Sequence, residues 1–310
     1  MAHPPAVGAQ ASRLARDLAL LSSARIPRLL YGTAWKRDQT ADLVYMALRV
    51  GFRGVDTAAQ PKHYDERAVA EGVRRAVAEG LVRREDLFIQ SKFTAPGGQS
   101  HSMPYDADAP LAEKVRQSVQ SSLDIFTLED QEPYLDSVVL HSPLDTMQET
   151  MTAWKTLESY APHRVRNLGI SNADLATVQA LLRDESTTVK PAVVQNRFHA
   201  RTGFDAALRT FCRDNGLVFQ SFWTLSANAP LVQSEPVARV ARMAGVELAA
   251  AYYSLVLGLG NVTVLDGTTS EAHMKEDLEG IEKVGLWAEG NGAADWEDAL
   301  KSFKAMVGDT

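Results

Sequence analysis

Short runs rich in β-branched and aliphatic residues alternate along the chain with longer stretches whose apolar positions recur every three or four residues. The first kind of run reads as strand and the second as amphipathic helix, and their regular alternation predicts parallel βα units. Strands are predicted over residues 28–31, 54–57, 87–91, 137–140, 165–170, 192–195, 218–222 and 262–265. Helices are predicted over 41–50, 66–79, 111–125, 147–160, 175–184, 204–215, 236–243 and 271–283. Eight strands, each followed by a helix, point to a closed α/β fold of the (β/α)8 TIM-barrel type rather than an open sheet. Helical spacing over 10–21 and 296–307 adds a helix at each end. The expected organisation is one barrel domain over 1–310, with an N-terminal extension at 1–25 and a C-terminal segment at 285–310. Irregular stretches interrupt the pattern at 94–109, 225–234 and 285–292. The first two follow strands directly, so they are expected to overhang the face where barrel strands end.

Several predicted strands end in polar residues: Asp56, Lys92, His141, Ser171 with Asn172, and Gln195. A single polar strand end marks the start of a loop, but in a βα barrel these ends share one face, and that face carries the chemistry. The chain is 45% hydrophobic and 23% charged, enough to bury a substantial core. A net charge of −7, with no basic run longer than Arg83-Arg84, gives no footprint for nucleic acid. The apolar stretch 248–259 is too short to span a bilayer, so neither a membrane partner nor a membrane location is expected. Arg13 and Arg16 amid Ala and Ser faintly suggest a transit peptide, but Asp17 argues against it, and the expectation is a cytoplasmic protein. The lone Cys212 rules out a disulfide framework or a cysteine zinc site within the chain. The seven histidines show no HExxH spacing, so no metal is expected.

More specific signals lie at the strand ends. The segment Gly51-Phe52-Arg53-Gly54-Val55-Asp56-Thr57-Ala58 resembles the signature around the catalytic aspartate of the aldo-keto reductases. The resemblance continues in order through Gln90-Ser91-Lys92, Leu140-His141-Ser142-Pro143, Gly169-Ile170-Ser171-Asn172 and Val194-Gln195-Asn196, and covers residues 27–284. It implies a reductase that transfers hydride from NADP(H), with NAD(H) as the alternative cofactor, to an aldehyde or ketone, and that works as a monomer or homodimer. The matching catalytic residues are Asp56, Tyr64, Lys92 and His141. Hydride addition leaves negative charge on the carbonyl oxygen, which calls for a nearby proton donor. Tyrosine, with a reference pKa of about 10, needs a neighbouring cation to act as that donor. In this resemblance Tyr64 is the acid, Lys92 the cation, Asp56 its anchor, and His141 orients the carbonyl.

The resemblance also implies a cofactor site at Gly32, Thr33, Asp56, Ser171, Asn172, Gln195, Phe222, Trp223, Thr224, Leu225, Gly267, Thr268, His273 and Asp277, with Phe222 stacked on the nicotinamide. Substrate would be met by Trp35, His63, Phe93 and Ser142. The chain departs from the family in several places. Tyr64 follows Asp56 by eight positions where five is usual, because Gln60-Pro61-Lys62-His63 lengthen the loop, and His63 is the substitute acid if the tyrosine is misplaced. Ser142 stands where many relatives carry an aromatic residue, which predicts a roomier pocket. Gly267 and His273 replace the lysine and arginine that grip the adenosine 2′-phosphate, so a weakened preference for NADPH is expected. Thr268, Thr269 and the start of the last barrel helix remain as phosphate donors. Two alternatives stay open at this point: a nicotinamide-binding regulatory subunit, and a Schiff-base aldolase or isomerase with Lys92 as nucleophile.

Overall fold

A computed structural model of the chain describes residues 12–100, 102–128 and 132–309. Strands β1 (Leu18–Ala19) and β2 (Arg25–Ile26) pair antiparallel as a small hairpin. The remaining chain runs through β3 (Leu29–Gly32), α1 (Thr40–Val50), β4 (Gly54–Asp56), α2 (Glu66–Ala78), β5 (Phe88–Phe93), α3 (Leu111–Ile125), β6 (Ser137–Leu140), α4 (Met147–Glu158), β7 (Leu168–Ser171) and α5 (Leu175–Arg183). It continues with β8 (Val193–Arg197), α6 (Ala206–Asp214), β9 (Val218–Phe222), α7 (Ala229–Val232), α8 (Glu235–Ala244), α9 (Leu248–Leu257), β10 (Val262–Asp266), α10 (Glu271–Glu289) and α11 (Ala293–Met306). Strands β3 to β10 are all parallel and close into an eight-stranded barrel, with β10 paired to both β9 and β3. This is the (β/α)8 barrel the pattern predicts.

Two apolar layers hold it together. Between strands and helices, alternate strand residues such as Tyr31, Val55, Ile89, Val138, Ile170, Val194 and Phe219 pack outward on the helices. Inside the barrel, Leu30, Phe88, Val139, Val193 and Val218 fill the lower half, with Leu20 and Ile26 of the hairpin segment plugging the bottom. The strand period of two then decides what comes next: the residues two places further along point into the barrel nearer its top, and these are the polar ones.

The chain ends differ from expectation. Gln10 and Ala11 lie outside the described residues, and the rest of the helix predicted over 10–21 is a turn followed by β1. Its apolar residues serve tertiary packing instead: Leu20 plugs the barrel bottom and Leu14 packs into the outer layer beside α10. The irregular stretch predicted at 285–292 is largely helical, because α10 continues to Glu289. Gly285 suggests a break in sequence, yet it permits close approach: a Cβ there would stand 2.3 Å from Ser12 Oγ. Ser12 is in turn fixed to Glu282 by hydrogen bonds of 3.1 and 2.8 Å. The 248–259 stretch forms α9, nearly all buried, and no single described helix is long and apolar enough to cross a membrane.

Candidate active site

At the top of the barrel interior, β4 presents Asp56 and β5 presents Lys92, with side chains 2% and 0% exposed and 2.6 Å apart. Burying two charges is costly unless each finds its full set of partners. Here Lys92 Nζ also donates to the Thr57 carbonyl at 2.8 Å, while Asp56 Oδ1 accepts from Gln90 at 2.7 Å and Gln195 at 2.9 Å. Gln220 ties both glutamines together by accepting from each, at 2.8 and 2.9 Å. Burial alone would lower the Lys92 pKa, but Asp56 and the nearby Tyr64 outweigh it and hold the ammonium above its ordinary range. Lys92 is therefore a fixed positive charge.

The lengthened loop returns Tyr64 to that charge. His63 and Tyr64 both donate backbone N–H groups to the Gln60 carbonyl at 3.0 Å, winding the extra residues into a single turn. Asp65 then caps α2 by accepting from Ala68 at 3.0 Å. The loop at 94–109 buttresses the turn: Gln99 donates to the Ala59 carbonyl at 2.8 Å, and Gln60 donates to the Gly98 carbonyl at 2.6 Å. As a result Lys92 Nζ lies 4.9 Å from the centre of the Tyr64 ring, which meets His141 edge to face at a centroid separation of 6.1 Å. Burial raises the Tyr64 pKa and the Lys92 ammonium pulls it back. His141 Nδ1 is hydrogen-bonded to Thr94 Oγ1 at 2.6 Å. Burial, reinforced by Lys92 and His63, pushes this imidazole down to about 3, so it is neutral at physiological pH.

With Lys92 buried behind them, Asp56, Tyr64 and His141 line one cavity of about 770 Å³, within the usual range of small-molecule sites. It also takes in Gly32, Trp35, His63, Ser171, Asn172, Gln195, Phe222, Trp223, Thr224, Leu225, Gly267, Thr268, His273 and Asp277. Trp35 is 60% exposed and stacked on His63 at 3.9 Å between ring centres, so it forms a wall of the mouth and not part of the core. Three predicted residues stand elsewhere. Phe93 packs against Tyr105 outside the barrel, because Lys92 occupies the inward position beside it and the pleat sends Phe93 the other way. The same alternation turns Ser142 to solvent after the inward His141, so it does not widen the cavity. Thr33 is fully buried and donates to the Asp56 carbonyl at 2.9 Å, bracing the strand end without lining the cavity.

Several contributors have no role in the sequence reading. Gln90, although part of the Gln90-Ser91-Lys92 match, and Gln220, which carries no motif, complete the Asp56 network, and their inward parity with Lys92 and Phe222 is the available signal. Thr94, Lys36, Arg197 and Asp266 depend on contacts between distant segments, which no local pattern reveals. Arg197 lies over the Trp223 ring at 4.5 Å and is in no ion pair among the described residues.

Comparison with known proteins bears on the family and the fold. Residues 28–283 match the model of the Aldo/keto reductase family. An uncharacterized oxidoreductase of Bacillus subtilis (strain 168) is 27% identical over 241 residues, covering 77% of each chain. Glyoxal reductase of the same organism is 28% identical, covering 73% of this chain and 72% of its own. In structure, an aldo-keto reductase of the silkworm solved with NADPH superposes with a TM-score of 0.68 over 88% of each chain at 21% identity, a likeness of fold. With the family match spanning nearly the whole barrel, the chain belongs to the aldo/keto reductase family.

Proposed function

We propose that this oxidoreductase reduces a small aldehyde or ketone to the alcohol, with Tyr64 as proton donor and NADP(H) as cofactor, NAD(H) being accepted as well. The observation that carries the reading is a tyrosine and a neutral histidine facing one cavity, with a buried protonated lysine 4.9 Å from the tyrosine ring. The residues present suit a nicotinamide. Gln195 and Asn172 spend their amide N–H groups on protein partners, which leaves their side-chain oxygens to accept from a carboxamide. Phe222 offers a ring face beside them, and Lys36 and Arg197 supply positive charge for a pyrophosphate.

When bound, the reduced nicotinamide supplies hydride to the carbonyl carbon. The chain's own residues handle the charge that this leaves on oxygen. Tyr64 gives its phenolic proton to that oxygen, and the Lys92 ammonium stabilises the phenolate left behind. Asp56 holds Lys92 in place. With the Thr94 hydroxyl donating to Nδ1, His141 keeps its proton on Nε2 and presents it to the carbonyl. Because Lys92 is held protonated, it is not the free amine that a Schiff base requires.

The test is oxidation of NADPH, followed by its absorbance, with a panel of aldehydes and ketones, repeated with Tyr64→Phe. The substitution keeps ring volume and removes the acid, so turnover should fall by about 10² to 10⁴ with cofactor affinity retained. Near-normal turnover would overturn the assignment and move the acid to His63.

A further inference from the structure

A second concavity of about 580 Å³ adjoins the reaction cavity at its mouth. Trp35, Gln60, His63 and Tyr64 line both, so the two spaces meet at the proposed proton donor and at the stacked Trp35 and His63 rings. The lengthened loop builds much of the second wall, since Gln60, Pro61, Lys62 and His63 all face it. The segment after β3 supplies another part. Trp35 and Arg37 have positive φ angles of 64° and 52°, a left-handed backbone that side chains disfavour. The Trp35 N–H donates to the His63 carbonyl at 2.8 Å, which ties this turn to the lengthened loop. The turn divides two neighbouring cations between the two spaces: Lys36 lines the reaction cavity and Arg37 lines the second.

The charges of this second space are unequally engaged. Arg37, Lys62 and Arg67 line it and are exposed, and none of the three side chains is in an ion pair or a hydrogen bond among the described residues. The acids beside them are committed. Asp65 caps α2 by accepting from the Ala68 N–H at 3.0 Å. Glu66 is buried and accepts from Ser91 at 2.5 Å and Ser122 at 3.0 Å, so Arg67 acts on it only through space. Arg67 also borders a further cleft toward α3, where Glu113 is paired with Arg116 and Asp124 accepts from Gln120. A chain of net charge −7 thus presents three cations without counter-ions in one concavity beside its reaction cavity.

We propose that the substrate is a carbonyl compound bearing an anionic group, a carboxylate or a phosphate, at the far end of its chain, with the carbonyl at Tyr64 and the anion among Arg37, Lys62 and Arg67. The inference rests on the reductase reading given above and narrows its substrate class. Guanidinium groups pair with the oxygens of carboxylates and phosphates two at a time, and an ammonium adds a mobile point charge. A concave wall of one sign also focuses its field, which draws anions to the mouth. The anion lies away from the reacting carbon, so its contacts are the same before and during hydride transfer, and they act on KM more than on kcat.

The test compares ω-oxo carboxylates of increasing chain length with their methyl esters, and ω-oxoalkyl phosphates with the matching alcohols, at saturating NADPH. At the best length the anion should exceed its neutral counterpart in kcat/KM by about tenfold, the effect of one ion pair in a partly solvated groove. The difference should lie in KM and should shrink toward unity as salt is raised to about 0.5 M, where charges are screened within a few ångströms. Arg37→Gln, Lys62→Gln and Arg67→Gln combined in one protein should bring the ratio near one while turnover of the esters is kept, which also shows that the variant is folded. A preference for carboxylates alone or for phosphates alone supports the proposal and identifies the anion. Anions no better than neutral counterparts at every length, or a preference that survives the triple substitution, would overturn it and leave the reductase reading standing. No turnover of any aldehyde would refute the reductase reading and this inference with it.

Discussion

The Thr94 hydroxyl is hydrogen-bonded to His141 Nδ1 at 2.6 Å, and as the donor in that bond it leaves the imidazole proton on Nε2, the tautomer that the proposed reaction uses. Replacing it by valine keeps the shape and leaves Nδ1 without a partner, so the useful tautomer is no longer favoured. A positioning hydrogen bond of this kind is worth about 1–2 kcal/mol, which corresponds to roughly a tenfold loss in kcat. Thr94→Ser should restore the rate, and an unchanged kcat in Thr94→Val would show that His141 needs no such support. Behind Lys92 sits a second unforeseen group, Glu66, which accepts from Ser91 at 2.5 Å and from Ser122 at 3.0 Å. Burial raises its pKa from 4.5 to about 7 against the pull of these hydroxyls and of Lys92. Since the folded pKa exceeds the unfolded one, the neutral carboxyl favours the fold at low pH, and that advantage is lost as pH rises from 4.5 to about 7. Glu66→Gln should remove this slope and leave the protein more stable above pH 7, by a few kcal/mol at most, as read by urea unfolding at several pH values. A slope unchanged by the substitution would place the titration elsewhere. The contrast between these two residues and Asp56 or Lys92 is instructive. The latter pair falls at strand ends in a specific motif, while Thr94 and Glu66 acquire meaning from neighbours 47 and 25 residues away.

At the level of elements, period mattered more than propensity. The strand around Lys92 reads Phe-Ile-Gln-Ser-Lys-Phe, and once Lys92 is placed inside, alternation assigns every other residue, including the outward Phe93 that resemblance alone put in the substrate pocket. The N-terminal segment failed for the opposite reason. Its apolar residues are spaced for a helix but are claimed by the barrel bottom, for Leu18 and Leu20, and by the outer layer, for Leu14 and Ala15, tertiary contacts invisible to local pattern. Packing of α1 on α2 supplies a test of the same competition. Gly72 lies within α2, where alanine is intrinsically better by about 1 kcal/mol. A Cβ there would stand 2.5 Å from the Ala41 carbonyl oxygen and 2.9 Å from Val44 Cβ. The first obstacle is backbone and cannot rotate away, and overpacking of this kind typically costs about 1–3 kcal/mol. Gly72→Ala should therefore lower the urea midpoint despite the better helix residue. A raised midpoint would mean that the two helices separate easily.

Across the whole molecule the barrel divides its tasks by end. The lower half is apolar and plugged by the hairpin segment, and the upper half holds the charged cavity, so the buried Asp56–Lys92 pair is fixed by a frame that takes no part in its chemistry. The C-terminal segment is held at the outer helical layer, against α6. Asp309, 3% exposed at the side chain, lies 3.4 Å from Arg209 and 3.6 Å from Arg213, distances that make the attraction coulombic more than hydrogen-bonded. Arg209 also donates to the Phe204 and Val307 carbonyls at 2.8 and 3.1 Å, tying α6 to the chain after α11. Burial lowers the Arg209 pKa and Asp309 opposes that shift, while the guanidinium stays charged throughout. Asp309→Asn would leave a buried cation without compensation, a change that commonly costs about 3–5 kcal/mol. Neither side chain lines the cavity. The expected outcome is a large fall in unfolding free energy with kcat and cofactor affinity unchanged well below the transition. Arg209→Met combined with Asp309→Leu should recover most of the loss, since removing both charges also removes their desolvation. Unfolding of Asp309→Asn indistinguishable from the parent would show that solvent reaches this pair and that the C-terminal segment is held by its apolar contacts alone. Activity lost in proportion to stability, in protein that is still folded, would show that this contact between α6 and the C-terminal segment is coupled to the cavity.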